Sequence, residues 1–516
     1  MTTDKTAPFY ITTAISYPNG APHIGHAYEA ITSDAIARFR RAQGRDVRFQ
    51  TGTDVHGLKM VQAARAAGRD ISEFATEMSI LFKGMCDKLE ISYDKFIQTS
   101  DPENHVAATA LWRVMEASGD LYLDRYEGWY SVRDEAYYDA EELHETADGL
   151  KLSPQGTPVE WTEEESWFFR LSKYQQRLLE LYEQKPGFLQ PDSRRNETIR
   201  FVEGGLSDLS VSRTSFDWGV PVPGSPGHVM YVWVDALINY ASGLGWPDEA
   251  GDFARYWPAD IHNIGKDIVR FHAVYWPAFL MSAGVALPEQ VFGHGFLLNR
   301  GEKMSKSLGN VTDPLELADR HGVDQLRYFL LREVAFGGDG SYSEEAIVTR
   351  CNADLANNLG NLAQRSLSMI AKNCDGCLPT PGVPVDADVA LIAALDTAQE
   401  RAVVHMDSLV IHQALEAIWE GASAANLYFA GQAPWSLRKT DPARADTVLY
   451  YAAEAVRRLA IMVQWAVPNG SGRLLDLLAV PPEGRAFASL GDALEPGTRL
   501  PEPVGVFPRL ALGVSA

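Results

Sequence analysis

Apolar positions change their spacing twice within the first fifty residues, and these changes predict a strand, a helix and a second strand. Residues 9–15 form a β-rich apolar run, and a cluster of turn-forming residues at 16–22 ends it. From His23 the apolar positions follow helical spacing up to Gly44, a helix-stop signal, and residues 47–50 form a second β-rich run. A strand–helix–strand unit of this length is typical of a doubly wound parallel α/β sheet. The predicted buried stripe of the helix is Ala27, Ala30, Ile31, Ala35, Ile36 and Phe39.

The middle of the chain interrupts this pattern and then resumes it. Residues 116–225 contain tyrosine-rich segments and an acidic run, and we interpret them as an insertion between two halves of the sheet. Parallel-strand signals return as β-rich runs at 229–234, 261–264 and 290–298. A helical segment at 268–283 lies between two of these runs.

After about residue 346 the pattern is almost wholly helical. A break rich in proline and glycine at 379–384 separates two predicted helices, and the residues from Ser471 onward carry little periodicity. The clearest helical stripe consists of Leu449, Ala452, Val456, Leu459, Ala460 and Val463. The pattern therefore predicts an all-α region followed by a tail.

Composition narrows the class of protein. The 516 residues include 46% apolar and 22% charged residues, a balance that supports several globular domains. The net charge of −22 argues against a protein that coats nucleic acid with a wholly basic surface, but it leaves room for a local basic patch. Four cysteines make no disulfide framework, residues 1–8 do not resemble a signal peptide, and no apolar run reaches the ~20 residues that a membrane span needs. We therefore expect a cytoplasmic protein with no membrane partner.

A first candidate for chemistry is His23-Ile24-Gly25-His26, at the start of the predicted helix. Histidines at i and i+3 share a helix face, and the N–H groups and dipole of a helix N-terminus favour phosphate. Imidazole donors there could stabilise charge on a phosphoryl group, and Gly25 lets a nucleotide base approach the backbone. On this segment alone, an ordinary helix start with solvated histidines and a pair of metal ligands both stay open.

A second candidate is Lys303-Met304-Ser305-Lys306-Ser307, in a polar loop after a predicted strand. Two lysines among small hydroxyl residues suit a mobile clamp on a polyphosphate, although a solvated basic loop has the same composition. Both candidates fall at the sheet edge where a doubly wound fold binds nucleotide. With both segments unaltered and in this order, the chain resembles the class I aminoacyl-tRNA synthetases.

Further motifs resemble the methionyl-tRNA synthetase family over nearly the whole chain, to about residue 470. The matching runs are 14–20, 52–57, 231–237, 264–268 and 271–277. The resemblance implies a Rossmann-like, doubly wound α/β catalytic domain with an inserted connective-peptide domain, followed by an all-α anticodon-binding bundle. The expected divisions are 1–115 and 226–298 for the two catalytic halves, 116–225 for the insertion, 299–345 for the loop of Lys303 and the stem-contact region, 346–470 for the bundle, and 471–516 for the C-terminal tail.

The resemblance also implies a methionine site. The ammonium of an amino acid needs a buried carboxylate, and Asp54, just past a predicted strand end, suits it. A thioether needs an apolar and aromatic pocket. The other residues that the resemblance places around methionine are Ala14, Ile15, Tyr17, Trp233, Ala236, Leu237, Tyr240 and His272. Leu237 stands where some family members have proline, so we expect it only as lining. Without the resemblance, core packing would explain each aromatic residue.

For ATP, the resemblance assigns His23 and His26 to the phosphates and adenosine, and Gly25 to a place beneath the adenine. Gly265 and Asp267 are expected at the ribose, Leu297 and Leu298 beside the base, and Lys303 and Lys306 at the departing pyrophosphate. The two histidines and two lysines are the predicted catalytic residues. The implied reaction joins L-methionine to Mg²⁺-bound ATP as methionyl-adenylate, and the terminal 2′-hydroxyl of tRNA(Met), initiator tRNA included, then takes the acyl group. Positioning and electrostatic stabilisation are expected to carry the rate.

In the helical region, Asn361 and Arg365 share a helix face at i and i+4, and Trp435 offers an indole. The resemblance predicts that the indole stacks on an anticodon base while the two polar side chains bond base edges. A core tryptophan beside two solvated polar residues is the alternative. Because the chain ends without the tRNA-binding barrel that accompanies dimers in some relatives, we expect a monomer.

The chain departs from many family members in its insertion. Those members hold zinc there through Cys-x-x-Cys knuckles, whereas this sequence has no cysteine between Cys86 and Cys351. We therefore expect no zinc and no other bound metal besides Mg²⁺, with packing of the run 129–133 in place of the first knuckle. Cys374-x-x-Cys377 lies in the helical region and is interpreted as incidental. The insertion also lacks the length of the editing domains found in the isoleucine, valine and leucine enzymes.

Three alternatives remain at this point. A cysteine-specific synthetase is disfavoured because no thiolates are placed for its active-site zinc. A tRNA-binding module without catalysis is disfavoured by the intact histidines and lysines. A nucleotidyltransferase without tRNA is disfavoured by Asn361, Arg365 and Trp435.

Overall fold

The computed structural model describes residues 7–134, 136–146, 149–302 and 311–512, with the backbone alone at 126 and 164. The strands are β1 (Phe9–Ser16), β2 (Val47–Thr53), β3 (Lys95–Gln98), β4 (Leu121–Ser131), β5 (Ala136–Tyr138), β6 (His144–Glu145), β7 (Lys151–Leu152), β8 (Glu160–Phe169), β9 (Leu189–Gln190), β10 (Leu209–Ser210), β11 (Ser212–Arg213), β12 (Val229–Met230), β13 (Ile261–Gly265), β14 (Val291–His294), β15 (Leu297–Asn299) and β16 (Gly340–Tyr342).

The helices are α1 (Ile24–Ala42), α2 (Leu58–Ala66), α3 (Ile71–Lys88), α4 (Pro102–Ala117), α5 (Gln175–Gln184), α6 (Asp192–Glu203), α7 (Val232–Ser242), α8 (Gly251–Tyr256), α9 (Trp276–Ala283), α10 (Pro314–His321), α11 (Val323–Glu333), α12 (Glu344–Cys351), α13 (Asn361–Asn373), α14 (Asp386–Asp407), α15 (Ile411–Gln432), α16 (Pro434–Thr440), α17 (Pro442–Val463) and α18 (Pro468–Leu477). Among the described residues, none of these helices is long and apolar enough to cross a membrane.

The central sheet is parallel, with strand order β3-β2-β1-β13-β14-β9. Chain order therefore reverses between β1 and β13, which pair directly through Ile11 and Ile261. Ligands of doubly wound sheets bind in the crevice outside the carboxyl ends of the strands at such a switch point. This order confirms the predicted doubly wound fold and places the candidate site beyond the ends of β1, β2 and β13.

Burial follows the two predicted helical stripes. On α1, the six predicted residues from Ala27 to Phe39 are all buried, and on α17 so are the six from Leu449 to Val463. The apolar face of α1 packs on β1 and β2. The same helices also bury residues outside these stripes, such as Ser33 on α1 and Glu454 on α17, so each stripe marks only part of the buried surface of its helix.

The insertion contains an antiparallel sheet with strand order β10-β8-β4-β5. The insertion as a whole is not separate from the catalytic sheet. Its strand β9 lies within 116–225 yet pairs in parallel with β14 through Leu189 and Val291. Residues 189–190 thus complete the edge of the catalytic sheet. The expected divisions at 116 and 225 stay predictions.

Two predicted elements near the switch point are wrong in detail. The run 229–234 is not one strand, because only Val229–Met230 is extended and α7 begins at Val232. This helix is buried on almost every side, so its sequence carries no amphipathic period. The segment 268–283 is helical as predicted, and within it a π-helical turn, Phe271–Tyr275, precedes α9.

The run 290–298 also divides into two strands in different sheets. β14 belongs to the central sheet, whereas β15 pairs with β16. Gly295 lies between them where a Cβ atom would come within 2.2 Å of the Gly338 carbonyl oxygen. That close backbone approach lets the chain leave the central sheet.

The C-terminal region is a helical bundle in which α17 packs on α13, α15, α16 and α18. Helix α18 spans the expected boundary at 470, so the residues just after Ser471 are helical, while the division itself stays a prediction. The later residues fold back on the bundle: the Tyr450 hydroxyl donates to the Leu494 carbonyl at 2.8 Å, and Arg457 donates to the Ser489 carbonyl at 2.8 Å.

Candidate active site at the switch point

The two histidines of the first motif form the N-terminus of α1. His23 is the N-cap, and its Nδ1 accepts a hydrogen bond from the Gly25 N–H at 3.1 Å. His26 Nδ1 accepts from the His23 N–H at 3.1 Å, and the two rings stack with centroids 3.8 Å apart. Because each Nδ1 accepts a backbone hydrogen bond, a neutral ring carries its proton on Nε2, which can donate to phosphate.

Gly25 keeps the His23 ring in this position. A Cβ atom on residue 25 would lie 2.9 Å from His23 Cε1, closer than real Cβ atoms come to a neighbour. The structure thus shows a close approach of imidazole to Gly25, whereas the expected approach of adenine stays a prediction.

Asp54 follows the end of β2 and is buried. Its backbone N–H donates to the Ser16 carbonyl at 2.9 Å, which joins the ends of β1 and β2. One carboxylate oxygen, Oδ1, accepts from the Thr99 hydroxyl at 3.2 Å and from the His56 N–H at 3.3 Å. A carboxylate buried in this way suits a cationic ligand group, because a buried charge is tolerated when it is paired.

A bulge in β1 sets the direction of the residues before this turn. The pairing of β1 with β2 shifts between Thr12 and Ile15, where one extra residue enters β1. Bulges commonly redirect side chains next to active sites. Ala14 and Ile15 therefore lie at the switch point, and the Tyr17 hydroxyl donates to the His56 carbonyl at 2.6 Å.

The aromatic residues expected at methionine meet between α7 and the π-helical turn. The Trp233 ring stacks on Phe271 with centroids 3.8 Å apart and meets His272 edge to face at 6.0 Å. His272 Nδ1 lies 2.9 Å from the Ile268 carbonyl and Nε2 lies 2.6 Å from the Tyr240 hydroxyl, so Nδ1 donates and Nε2 accepts. Burial lowers the pKa of His272 to about 4, and the ring is therefore neutral at pH 7.

Asp54 acts electrostatically on these aromatic residues. Burial raises the pKa of the Tyr240 hydroxyl, and the negative charge of Asp54 raises it further. Ala236 and Leu237 are buried on α7 beside these residues. Their contact with a ligand stays a prediction.

The residues assigned to the ribose, Gly265 and Asp267, lie at the end of β13. Gly265 ends that strand, and a Cβ atom there would lie 2.7 Å from Asp267 Oδ1. The structure thus brings Gly265 and Asp267 together at the carboxyl edge. Next to them, Glu29 Oε2 of α1 lies 2.8 Å from Nε2 of His294. Burial alone would lower the pKa of His294, but the hydrogen bond and charge of Glu29 raise it above its usual value.

The second motif, residues 303–307, lies wholly outside the described residues, and so therefore do Lys303 and Lys306. Leu297, which is buried, and Leu298 are described, both on β15. The chain after the motif returns to the first motif, because the Ile24 N–H donates to the Thr312 carbonyl at 3.1 Å. Position 312 therefore lies at the N-terminus of α1.

The residues expected at an anticodon form one exposed group on the bundle. Asn361 and Arg365 are exposed on α13. The Arg365 guanidinium lies over the Trp435 ring at 5.3 Å and over Phe429 at 5.1 Å. Trp435 is 43% exposed, so it is not a core tryptophan.

In the insertion, hydrogen bonds and aromatic contacts hold together the segment expected at the position of the first zinc knuckle. The Asp134 carboxylate accepts from Tyr138 at 3.1 Å and from Ser153 at 2.7 Å. Trp129 meets Trp161 edge to face at 5.3 Å. In the helical region, the Cys374 thiol lies 3.5 Å from an Asp446 oxygen, and a role for it stays untested.

Sequence reasoning missed several residues of this site. Phe271, Glu29 and His294 were not assigned, nor were His56 and Asp235, although three of these five (Phe271, His56 and Asp235) lie within motifs already quoted. A possible signal was the presence of titratable residues inside otherwise apolar runs, as at Asp235 and His294.

Comparison with known proteins agrees with this geometry. A family model described as tRNA synthetases class I (M) matches residues 9–367, and one described as the anticodon binding domain of methionyl tRNA ligase matches residues 378–511. The methionine–tRNA ligase of Brucella suis biovar 1 (strain 1330) is 61% identical over 502 residues, which cover 97% of this chain and 98% of that relative.

Solved structures agree over the same length. Methionyl-tRNA synthetase of Mycobacterium tuberculosis in complex with methionyl-adenylate superposes with a TM-score of 0.96 at 59% identity, covering 98% of this chain and 100% of that chain. Its free-state structure gives a TM-score of 0.89 at 56% identity, with 98% and 99% covered. The backbone described here is thus closer to that of the adenylate complex.

Proposed function

The chain belongs to the methionine branch of the class I tRNA synthetases, and from that premise we propose how its residues carry out the methionine–tRNA ligase reaction. The enzyme activates L-methionine with ATP and transfers it to tRNA. In the first step a methionine carboxylate oxygen bonds to the α-phosphorus of ATP, and the bond to the β-phosphate bridging oxygen breaks. In the second step the terminal tRNA hydroxyl takes the acyl group, its proton is lost, and AMP leaves.

The observation that carries this proposal is the convergence of three strand ends. His23 and His26 follow β1, Asp54 follows β2, and Gly265 with Asp267 ends β13. In our proposal His23 and His26 donate from Nε2 to phosphate oxygens, where charge grows as pyrophosphate departs. Gly25 lies beneath the adenine, and Gly265 and Asp267 hold the ribose, whose hydroxyls a carboxylate can accept from.

Asp54 is proposed to bind the methionine ammonium. The thioether is proposed to lie against the rings of Trp233, Tyr240 and His272, because sulfur packs favourably against aromatic rings. Since His272 and Tyr240 satisfy each other's polar atoms, these rings offer the thioether their apolar surfaces. Ala14, Ile15, Tyr17, Ala236 and Leu237 complete the proposed lining.

Lys303 and Lys306 are proposed to neutralise the pyrophosphate, and ATP is proposed to enter with Mg²⁺ as part of the substrate. The hydrogen bond from Ile24 to Thr312 supports this assignment, because it brings the chain just after the lysine motif to the histidine motif. The rate then derives from held geometry and charge stabilisation rather than from a covalent intermediate with the protein.

On the tRNA side, we propose that Trp435 stacks on an anticodon base of tRNA(Met), elongator and initiator alike, while Asn361 and Arg365 bond base edges. The exposed indole and the guanidinium above it support this assignment. The acidic net charge of the chain does not oppose it, because these side chains form a local site. We also propose that the protein is a cytoplasmic monomer and that its successive regions begin at residues 116, 226, 299, 346 and 471.

We also propose that the insertion folds without zinc. The Asp134 hydrogen bonds and the contact of Trp129 with Trp161 support this, because they provide the local cross-links that a metal provides in knuckles. Elemental analysis of purified protein after dialysis against a chelator tests it. Stoichiometric zinc, or loss of folded protein after chelation, would overturn it.

The principal experiment measures exchange of pyrophosphate into ATP with each of the twenty amino acids. We expect exchange with methionine and little with any other. Exchange that is independent of amino acid, or strongest with another amino acid, would overturn the proposed site. Lys306→Ala is expected to reduce the exchange by about 100-fold, the order lost when one donor to a developing oxyanion is removed.

A further inference from the structure

Five buried residues behind the proposed ammonium site form a closed ring of hydrogen bonds. The ring, which we call the buried polar ring, consists of Asp54, His56, Thr99, Asn104 and Asp235, and each is at most 7% exposed. Its members come from three places: the turn after β2, the turn and helix after β3, and α7. Two of the quoted motifs, 52–57 and 231–237, meet in it.

The ring closes in five steps. Thr99 Oγ1 donates to Asp54 Oδ1 at 3.2 Å, and Asn104 Nδ2 donates to the carbonyls of Thr99 at 3.2 Å and Asp235 at 3.0 Å. His56 Nδ1 bonds Asp235 Oδ2, and the His56 N–H donates to Asp54 Oδ1 at 3.3 Å. Because all five groups are shielded from water, water cannot replace a lost partner. Each hydrogen bond of the ring therefore depends on the positions of the neighbouring groups.

The neighbouring contacts leave the ring little freedom. Asn104 Oδ1 accepts from the Ser242 hydroxyl at 2.8 Å, which fixes the orientation of its amide. The Val55 N–H donates to Thr99 Oγ1 at 2.9 Å, and the Val55 carbonyl accepts from the Trp218 indole at 2.6 Å. Hydrogen bonds to both backbone and side-chain atoms therefore hold the turn that carries Asp54 in place.

The ring also joins the two ends of the proposed methionine site. Asp54 faces the proposed ammonium position, and Asp235 lies on α7 between Trp233 and Ala236, which line the proposed thioether pocket. The bond between His56 and Asp235 therefore ties the turn that carries the carboxylate to the helix that carries the pocket. A catalytic or binding group acts well only when the residues behind it lock its position.

We propose that the buried polar ring is a positioning device for methionine. His56, Thr99, Asn104 and Asp235 are positioning residues that fix the Asp54 carboxylate relative to α7 without touching the substrate. This inference rests on the proposed role of Asp54. A purely structural ring would contribute to the amount of folded enzyme, whereas a positioning ring controls the KM for methionine.

The test is a double-mutant cycle in the full-length chain, read by methionine-dependent pyrophosphate exchange. Thr99→Val, which keeps the shape of the side chain and removes its hydroxyl, should raise the KM for methionine about 10-fold and change the KM for ATP by less than about 2-fold. In an Asp54→Asn background the same change should add less than about 2-fold, because the carboxylate it positions is gone.

Thr447→Val is the matched control. Thr447 is a buried threonine of the bundle whose Oγ1 also accepts a backbone N–H, that of Gly382 at 2.8 Å. Its replacement removes a similar hydrogen bond far from the site, so the KM for methionine should not change. A second probe is His56→Leu, which should raise that KM, with His56→Asn restoring most of it by keeping a donor near the Nδ1 position.

The outcomes separate the two claims. If Asp54→Asn leaves the KM for methionine unchanged, the proposed ammonium role is wrong. If Asp54→Asn raises it but Thr99→Val adds the same factor in both backgrounds, or only lowers the fraction of active enzyme, the ring is structural and this inference is wrong. Thermal denaturation of each variant distinguishes misfolding from altered binding.

Discussion

Arg327 of α11 and Asp34 of α1 form an ion pair in which both side chains are fully buried, with Nη2 2.6 Å from Oδ2. Arg327 also donates to the carbonyls of Leu89 at 3.1 Å and Ala466 at 3.3 Å. One guanidinium therefore connects the helix that carries the histidine motif to the residues just after α17. Burial alone would raise the pKa of Asp34, but the charges of Arg327 and Arg38 hold it below its usual value.

Replacing Arg327 with Met should destabilise the protein by about 3–5 kcal/mol, because it removes a buried partner of Asp34 and leaves several carbonyls without a donor. Arg38→Met is the control, since Arg38 pairs with the same carboxylate at 2.7 Å but is 26% exposed. Its cost should be about 1 kcal/mol or less. Urea unfolding followed by far-UV circular dichroism measures both, and similar losses would contradict the assignment.

Gly25→Ala should lower the kcat of pyrophosphate exchange about 10-fold or more, because the added methyl displaces the His23 ring and misplaces a donor. Gly84→Ala on α3 is the control, since nothing lies within 4 Å of its added Cβ. That change should leave exchange intact and stabilise the protein by about 0.4–1 kcal/mol. A normal kcat in Gly25→Ala would show that the close contact does not hold the ring.

Stability should fall as the pH is lowered from about 6.5 to about 4, and His272 should account for part of the loss. Its folded pKa of about 4 lies below the unfolded value near 6.5, so in this window the unfolded state binds the extra proton. Above pH 6.5 the ring is neutral in both states and contributes no slope. The full difference corresponds to about 3 kcal/mol.

The measurement is the melting temperature of the protein and of His272→Gln across this range. His262 remains in both proteins, but its pKa is lowered by burial and also by the charge of His272, so the difference in slope reports His272 together with its effect on His262. Parallel curves would contradict the prediction.

Trp435→Ala should impair aminoacylation of tRNA(Met) while sparing pyrophosphate exchange, because the indole lies on the bundle and not at the switch point. Loss of base stacking costs about 1–3 kcal/mol, which is roughly a 5- to 150-fold rise in the KM for tRNA. Leu427→Ala, which removes a 75% exposed side chain from the adjoining α15, should change neither activity. An unchanged KM for tRNA in Trp435→Ala would exclude the proposed stacking.

Local elements near the site were predictable to different degrees. The start of α1 at the histidine motif followed from sequence, because capping uses neighbouring residues and the apolar stripe begins there. The start of α7 did not, because Val232, Trp233 and Val234 favour a strand and burial on most sides removes the helical period. The division of 290–298 depended on the contact of Gly295 with Gly338, which no local signal announces.

By itself, the sequence determined which local elements form at the two buried stripes and which motifs mark the family, because both depend on residues close together in the chain. The tertiary structure alone decided which polar groups share the site. His56 and Asp235 are separated by 179 positions, and Asn104 and Asp235 by 131, yet each pair is bonded in the buried polar ring. Such contacts follow from the strand order and from the packing of α4 on α7, which bring distant turns to one edge of the sheet. Hydrogen bonds of this kind leave no periodic trace in a sequence, since each requires only one residue at one position.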